Sequence, residues 1–425
     1  MSSRQTAAGA VSEVLDRAGI GQLPFSTRFW DGSEIAAAAE PPPFEILVES
    51  PDALAELLRE PNQLGLARAW VTGELDLRGD VEDVFALSDR FADVGLDWRT
   101  RLTALGRAWQ LGTLGRALRR PIPASESRLR GRTHSLRRDR GAIAHHYDVS
   151  NEFYELVLGP SMVYSCAYFG DPEESLEAAQ ERKLDLICRK LMLAPGDRLL
   201  DIGCGWGSLL IHAATHYDVR AVGVTISERQ AELARSRIRE AGLADRCEVR
   251  LVDYREVGDG PYDKIASVGM YEHVGRAELD RYVGSVGALL RPGGLFLNHG
   301  IARLHSRPGG PKSFISRYVF PDGELHPLDA FAVSVQASGL ELRDVESLRE
   351  HYPLTLRHWG ANLAANREAA IAAAGLERER IWRLYMAGSA VAFERGDITV
   401  FQSLAAKPGS PSGLPLDRAR ITAPR

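Results

Sequence analysis

The residues whose type and spacing bear most directly on chemistry lie in Leu199-Leu-Asp-Ile-Gly-Cys-Gly-Trp-Gly207, an apolar run ending in three glycines at alternate positions. Such a run reads as a strand turning into a helix at the carboxyl edge of a sheet, where missing side chains let the backbone pass close to a ligand. The spacing is GxGxG, whereas a turn that seats a pyrophosphate needs GxGxxG. It fits a cofactor without phosphate, such as S-adenosylmethionine. The following apolar run ends Gly223-Val-Thr-Ile-Ser227, and Ser227-Glu-Arg-Gln230 has the form of a capping box opening a helix. No carboxylate stands at that strand tip, where a dinucleotide fold would hold ribose, so NAD is disfavoured and the ribose partner is unassigned. Asp253, in Val252-Asp-Tyr-Arg255, is placed for an adenine edge. No metal is expected. The four cysteines (166, 188, 204, 247) form no CxxC pair, and neither His145-His146 nor Glu272-His273 sits in a ligand-spaced motif.

The elements that must position these residues read as an α/β, Rossmann-like fold with a mainly parallel sheet. Helical spacing of Leu176, Leu184, Ile187 and Leu191 precedes the glycine strand, and further strands are expected at 220–226, 247–253, 262–269 and 294–298. A smaller mixed domain is expected over 1–97, an arginine-rich segment over 98–140, the catalytic domain over 141–403 and a disordered tail over 404–425.

With 425 residues, 44% of them hydrophobic and 26% charged, the chain has room for about two domains with real cores, and a disordered reading is not needed. The N-terminus lacks the apolar stretch of a signal peptide and no run is long enough to span a bilayer. Thiols without a disulfide pattern fit a cytoplasmic protein. Residues 98–140 hold twelve arginines against Glu126 and Asp139, interleaved with Trp98, Trp109, Leu111, Leu114 and Leu118. Anionic lipid headgroups are the natural partner for such a surface, with a solvated linker as the plain alternative. No zinc-finger or RNP-type sequence supports nucleic acid.

Seven motifs occur in order: His146-Tyr-Asp-Val-Ser-Asn151, Tyr164-Ser-Cys-Ala-Tyr-Phe169, Asp201 to Gly207, Thr225-Ile-Ser227, Ser267-Val-Gly-Met-Tyr-Glu-His-Val-Gly275, Phe314-Ile-Ser-Arg-Tyr-Val-Phe-Pro321 and His351-Tyr-Pro-Leu-Thr-Leu356. Together they resemble the cyclopropane-fatty-acyl-phospholipid synthase family over most of positions 140–403, and residues 1–135 more loosely resemble the N-terminal domain of its longer members. The resemblance implies S-adenosylmethionine-dependent C-methylation of a cis alkene in an unsaturated phospholipid acyl chain, through a carbocation that then loses a proton. It implies cofactor contacts from Tyr164, Ser165, Leu199, Asp201, Gly203, Gly205, Trp206, Gly207, Thr225, Gln230, Asp253, Tyr254 and Arg255. It also implies that Cys166, Glu272, His299, Tyr352 and the backbone of Ile301 cradle a bicarbonate ion acting as base. Glu272 would share a proton with that anion or orient His299, while Tyr164, Trp206 and Tyr271 would face cationic sulfur or carbon. The enzyme would work peripherally at the inner face of the membrane, with a downstream reductase and a second copy of the chain as further candidate partners.

Three departures bear on the product. Leu297-Asn-His-Gly-Ile301 stands in place of the family's usual His-Thr-Ile, Phe320-Pro-Asp-Gly-Glu-Leu-His326 lacks the expected Leu-Pro, and Ser389 replaces a common cysteine. Both a cyclopropane and a methylene branch remain open as products. So do a carrier-bound or free small substrate and, from another class, a non-catalytic lipid-surface protein.

Overall fold

In the computed structural model, residues 5–38, 40–88, 97–128, 131, 133–135, 138–139, 141, 150–304 and 313–422 are described. They belong to two units. The first comprises Met1–Arg128, Gly309–Val319 and Gly375–Val391; the second comprises Leu129–Pro308, Phe320–Ala374 and Ala392–Arg425.

In the first unit, short apolar runs pair as β1 (Ser26–Phe29), β2 (Glu34–Ile35), β3 (Glu45–Val48) and β4 (Leu75–Arg78), in the order β2-β1-β3-β4. Helices start where polar side chains cap them: Ser50 accepts from the Asp52 amide before Pro51–Arg59, and Asn62 from the Leu64 amide before Gln63–Val71. Distant sequence completes this unit. Trp70 Nε1 donates to the Arg380 carbonyl at 2.9 Å, and the Arg380 guanidinium stacks on the Trp70 ring. Inside it, Arg68 meets Glu126 through two hydrogen bonds, of 2.8 and 3.1 Å.

The basic segment begins as structure. Asp97 caps the helix Trp98–Gln110, the helix Thr113–Arg119 follows, and Thr100, Ala108, Thr113 and Ala117 are buried while Trp98, Leu102, Leu105, Trp109 and Leu118 face out. Small residues on the inner faces let both helices pack closely, which a reading of net charge alone misses. Several of the later residues of 98–140 lie outside those described.

In the second unit, side chains along the glycine strand alternate between two cores, as both faces of a central parallel strand are covered. Leu199 packs with Leu210, Ala213 and Leu297, and Leu200 with Ile265, Tyr282 and Phe296. This strand is β5 (Arg198–Ile202); around it stand β6 (Arg220–Thr225), β7 (Cys247–Leu251), β8 (Tyr262–Val268), β9 (Leu290–Arg303), β10 (Glu341–Ser347) and β11 (Ile398–Ala406). Their order is β10-β11-β9-β8-β5-β6-β7, parallel from β9 to β7 and antiparallel where β11 joins β9 and β10. The order reverses between β5 and β8. Loops at their carboxyl ends therefore open a crevice, the usual ligand site of such sheets. Leu200, Leu210 and Ile265 are fully buried, and truncating a residue of this kind to alanine costs about 2–5 kcal/mol.

Two boundaries differ from the sequence reading. The strand expected at 294–298 runs from Leu290 to Arg303 because β11 pairs along Leu295–Arg303 and Tyr262 of β8 pairs with Leu290. The tail expected from 404 begins inside β11 and ends in a short helix, Ala419–Thr422, where Ile421 is buried and its carbonyl accepts from Arg189.

Candidate active site

The loop after β5 meets its ligand crevice through backbone. Gly203, Gly205 and Gly207 all have positive φ, at 79°, 53° and 82°. A Cβ on Gly205 would meet no protein atom within 4 Å, so its bareness keeps the crevice open rather than relieving a clash. Gly223, beneath the loop on β6, is a different case: a Cβ there would fall 2.6 Å from Leu210 Cδ1 and 2.8 Å from Cys204.

The crevice encloses about 1250 Å³ of atom-free space including its mouth. Eleven of the thirteen expected cofactor residues line it: Tyr164, Ser165, Asp201, Gly203, Gly205, Trp206, Thr225, Gln230, Asp253, Tyr254 and Arg255. Leu199 and Gly207 do not. Leu199 is turned into the core, and Gly207 caps the helix Ser208–Tyr217 against Ala234.

Polar side chains here are largely paired with one another. The expected capping box closes through a third residue: Ser227 accepts from the Gln230 amide, the Ser227 amide donates to Thr225 Oγ1, and that hydroxyl donates to Gln230 Oε1 at 2.9 Å. Asp253 takes both arms of the Arg255 guanidinium at 2.8 and 2.7 Å, and the same guanidinium reaches Asp139 at 3.0 Å. Asp201 is the exception. It is buried, its Oδ1 has no partner among the described residues, and burial pushes its carboxyl up against the pull of nearby Lys183.

Lys183 is a site residue that the motif reading missed. It lines the crevice, is 1% exposed and donates to Ser165 Oγ at 2.9 Å; burial pulls its ammonium below the ordinary lysine range, opposed by Cys166 and Asp201. A signal existed: position 183 falls on the apolar face of the helix Leu176–Lys190, one turn before Ile187.

Cys166, Glu272 and His299 each adjoin a residue of the crevice. Cys166 follows Ser165, and its thiol donates to the carbonyls of Ala167 (3.3 Å) and Leu348 (3.7 Å), with burial raising its pKa far beyond neutrality. Glu272 stands between Met270 and His273 on the turn after β8; its Oε1 accepts from the Ile301 amide at 2.7 Å, and its buried Oε2 has no partner among the described residues. Burial lifts that carboxyl to about 7, although the bond from Ile301 opposes the shift. His299 lies on β9 opposite Val268, with Nδ1 3.2 Å from Gln402 Nε2 and a buried Nε2 that has no partner among the described residues. Burial, then the charges of Lys183 and Lys190, hold its pKa well below the ordinary histidine range.

Tyr352 joins this set through rings. From the glycine loop an aromatic row runs Trp206, Tyr154, Tyr164, Trp359, Tyr352 and Phe393, with successive centroids 4.7, 5.8, 5.3, 6.3 and 4.4 Å apart. Trp206 is held by Nε1 donating to Asn151 at 3.0 Å. Tyr271 packs instead on His326 and Phe331, with its hydroxyl buried and unpartnered among the described residues. Within His146-Tyr-Asp-Val-Ser-Asn151 only Ser150 and Asn151 are described, and His145 also lies outside the described residues. Among the described residues, no cluster of His, Cys, Asp and Glu could hold a metal.

Such an arrangement can bind a ligand through backbone and shape, and its buried unpartnered groups could hold an anion or move a proton beside it. The orphaned Asp201 oxygen and the bare glycine cradle fit a hydrogen-bonding, phosphate-free cofactor.

Comparison with known proteins agrees. The family model described as mycolic acid cyclopropane synthetase matches residues 134–403. A probable fatty acid methyltransferase of Pseudomonas putida is 42% identical over 391 residues, covering 91% of this chain and 92% of that protein. The tuberculostearic acid methyltransferase UfaA1 of Mycobacterium tuberculosis is 32% identical, covering 95% and 93%. The crystal structure of mycolic acid cyclopropane synthase CmaA1 complexed with SAH and CTAB superposes with a TM-score of 0.60 at 35% identity, covering 63% of this chain and 98% of that one.

Proposed function

As the chain belongs to the mycolic acid cyclopropane synthetase family and is an S-adenosylmethionine-dependent methyltransferase, we propose that it adds the methyl carbon to the cis double bond of an unsaturated phospholipid acyl chain at an anionic membrane surface. One observation carries this reading. Glu272 Oε2 and His299 Nε2 are buried and unpartnered among the described residues, and each residue neighbours the lining of the cofactor crevice, Glu272 beside His273 and His299 opposite Val268.

S-adenosylmethionine, when bound, supplies an electrophilic methyl group on a sulfonium. The chain's own residues do the rest. The glycine loop and Asp201 hold the cofactor, while the aromatic row excludes water and turns electron-rich faces toward positive charge. An alkene is a weak nucleophile, so alignment carries much of the rate. Methyl addition leaves a cation on the neighbouring acyl carbon, which must lose one proton. Loss from the new methyl with bonding to the cationic carbon closes a cyclopropane; a hydride shift from the methyl-bearing carbon to the cationic one, followed by loss of a proton from the methyl, gives a methylene branch. Bicarbonate, a small weak base, would be held by Cys166, Glu272, His299, Tyr352 and the backbone at Ile301. A protonated Glu272 and the imidazole N–H would be its charge-neutral donors.

Membrane contact is supported by the first unit. Trp98, Leu102, Leu105 and Trp109 share one face of the helix Trp98–Gln110, 65%, 58%, 45% and 74% exposed, and Arg99, Arg101, Arg116 and Arg119 are exposed on the same two helices. Apolar anchors beside cations match an anionic bilayer. No helix among the described residues is long and apolar enough to cross it.

The test is mass spectrometry of oleoyl phospholipid vesicles, anionic or zwitterionic, after incubation with the protein and S-adenosylmethionine. We expect a gain of one CH2 unit per acyl chain, faster on anionic vesicles, and slower after Trp98→Ala with Trp109→Ala. Chemical mapping of the added carbon separates ring from methylene. Cofactor binding without any gain would overturn the lipid assignment.

A further inference from the structure

Three neighbouring strands place one polar residue each in a single row. His299 on β9 stands opposite Gln402 on β11, which stands opposite Glu346 on β10. Directly opposed residues of paired strands project to the same side, so the three side chains are neighbours by register. Lys190, the last residue of the helix Leu176–Lys190, closes the row: its Nζ donates to Gln402 Oε1 at 2.8 Å and to Glu346 Oε2. His299, Gln402 and Lys190 are each 2% exposed or less, and the Tyr168 hydroxyl donates to the remaining Glu346 oxygen at 3.4 Å.

The donor inventory fixes the direction of this row. An ammonium only donates, so the Gln402 atom facing Lys190 must be the carbonyl oxygen, which turns the amide NH2 toward His299. An amide NH2 also only donates. His299 Nδ1 must then accept with its lone pair, and in a neutral imidazole the proton sits on Nε2. Nε2 is the buried atom that no described residue engages.

We propose that Gln402, locked by Lys190 and Glu346, is a positioning residue that holds His299 as the Nε2–H tautomer, presenting a donor rather than a lone pair to the anion. This rests on the anion-site reading above. The opposite tautomer would aim a lone pair at an anion, replacing attraction with repulsion. Burial together with the two lysines keeps the ring neutral, so the tautomer rather than a charge decides what the anion meets.

The tautomer can be read without lipid. In the full chain labelled with 15N-histidine, with His299 assigned by loss of its signals in His299→Gln, we expect a lone-pair Nδ1 and a protonated Nε2 at neutral pH. A protonated Nδ1 would overturn the proposal even if lipid alkylation is observed, and the expected tautomer would stand even if lipid is not the substrate. Gln402→Glu supplies only acceptors. We expect it to move the ring proton to Nδ1 and cut turnover about tenfold to a hundredfold, as loss of an orienting partner does, with cofactor affinity within about twofold as judged by the general tolerance of distant sites. Unchanged turnover with a moved proton would sink the functional half of the idea. Lys190→Met, similar in volume, frees the amide to flip and should give a mixture of tautomers; a single Nε2–H form there would show that Lys190 sets nothing.

Discussion

The two halves of the catalytic unit's site treat polar groups in opposite ways. Around the cofactor crevice, Thr225 is bonded to Gln230 and Asp253 to Arg255, the glycine backbone is left bare, and Asp201 Oδ1 alone of the expected contact residues is buried without a partner among the described residues. Among the residues expected to handle the proton, Glu272 Oε2 and His299 Nε2 are buried without partners among the described residues. Binding here depends on shape and preformed bonds, whereas proton chemistry depends on groups kept unsatisfied. An unpaired buried polar group costs about 1–3 kcal/mol. Fold stability alone does not explain leaving two of them in place.

The largest effect should come from the unsatisfied half. Glu272→Gln keeps the shape and the acceptor for the Ile301 amide but loses the titrating carboxyl, and turnover should fall by about 10² or more, the usual scale for a positioned acid or base. Cofactor affinity measured by calorimetry should be unchanged. Unchanged turnover would break the contrast.

Gly205→Ala probes the other half. Its new methyl meets no protein atom but enters the crevice at a φ of 53°, so cofactor affinity should fall about tenfold, with a strain cost of about 1–2 kcal/mol. Full affinity would mean that the cofactor does not approach this backbone.

The smallest effect is one of stability, and its sign discriminates. Burial raises the Glu272 carboxyl from 4.5 to about 7 in the folded chain. A raised acid favours the folded state below its unfolded pKa, and that advantage is lost as pH climbs from about 4.5 through 7. Without ligand, Glu272→Gln should therefore be more stable than the parent above pH 7 by on the order of 1–3 kcal/mol, with the gap closing toward pH 5 in thermal melts. A constant gap would show that Glu272 is not buried as a charge at neutrality.

Much of the binding half was legible in the sequence because it is local. The glycine spacing, the Ser227 cap and Asp253 each lie at the end of one predictable strand. Motif order singled out Cys166, Glu272, His299 and Tyr352 as candidates, but the pattern of residues alone assigned none of them a role. What stayed hidden depends on long-range pairing. Gln402 meets His299 only because β11 returns antiparallel to β9, from a hundred residues away. Lys183 is a charge on an apolar helix face, joined two turns on by Lys190, and only the fold shows what each reaches. The first unit was drawn as 1–97, with the arginine segment 98–140 set apart as a membrane-surface or linker segment. The structure extends it to Arg128 and completes it with 309–319 and 375–391, which no local composition announces.

That discontinuity has a consequence in time. Trp70 cannot be covered by Arg380 until the ribosome has made more than three hundred further residues. At about 5–20 residues per second, the unit begun first waits on the order of 15–60 s for its last piece. The larger unit waits slightly longer still, because β11, which stands between β9 and β10 and carries Leu404 into the core, is made after Arg380, so both units close their cores only as synthesis ends.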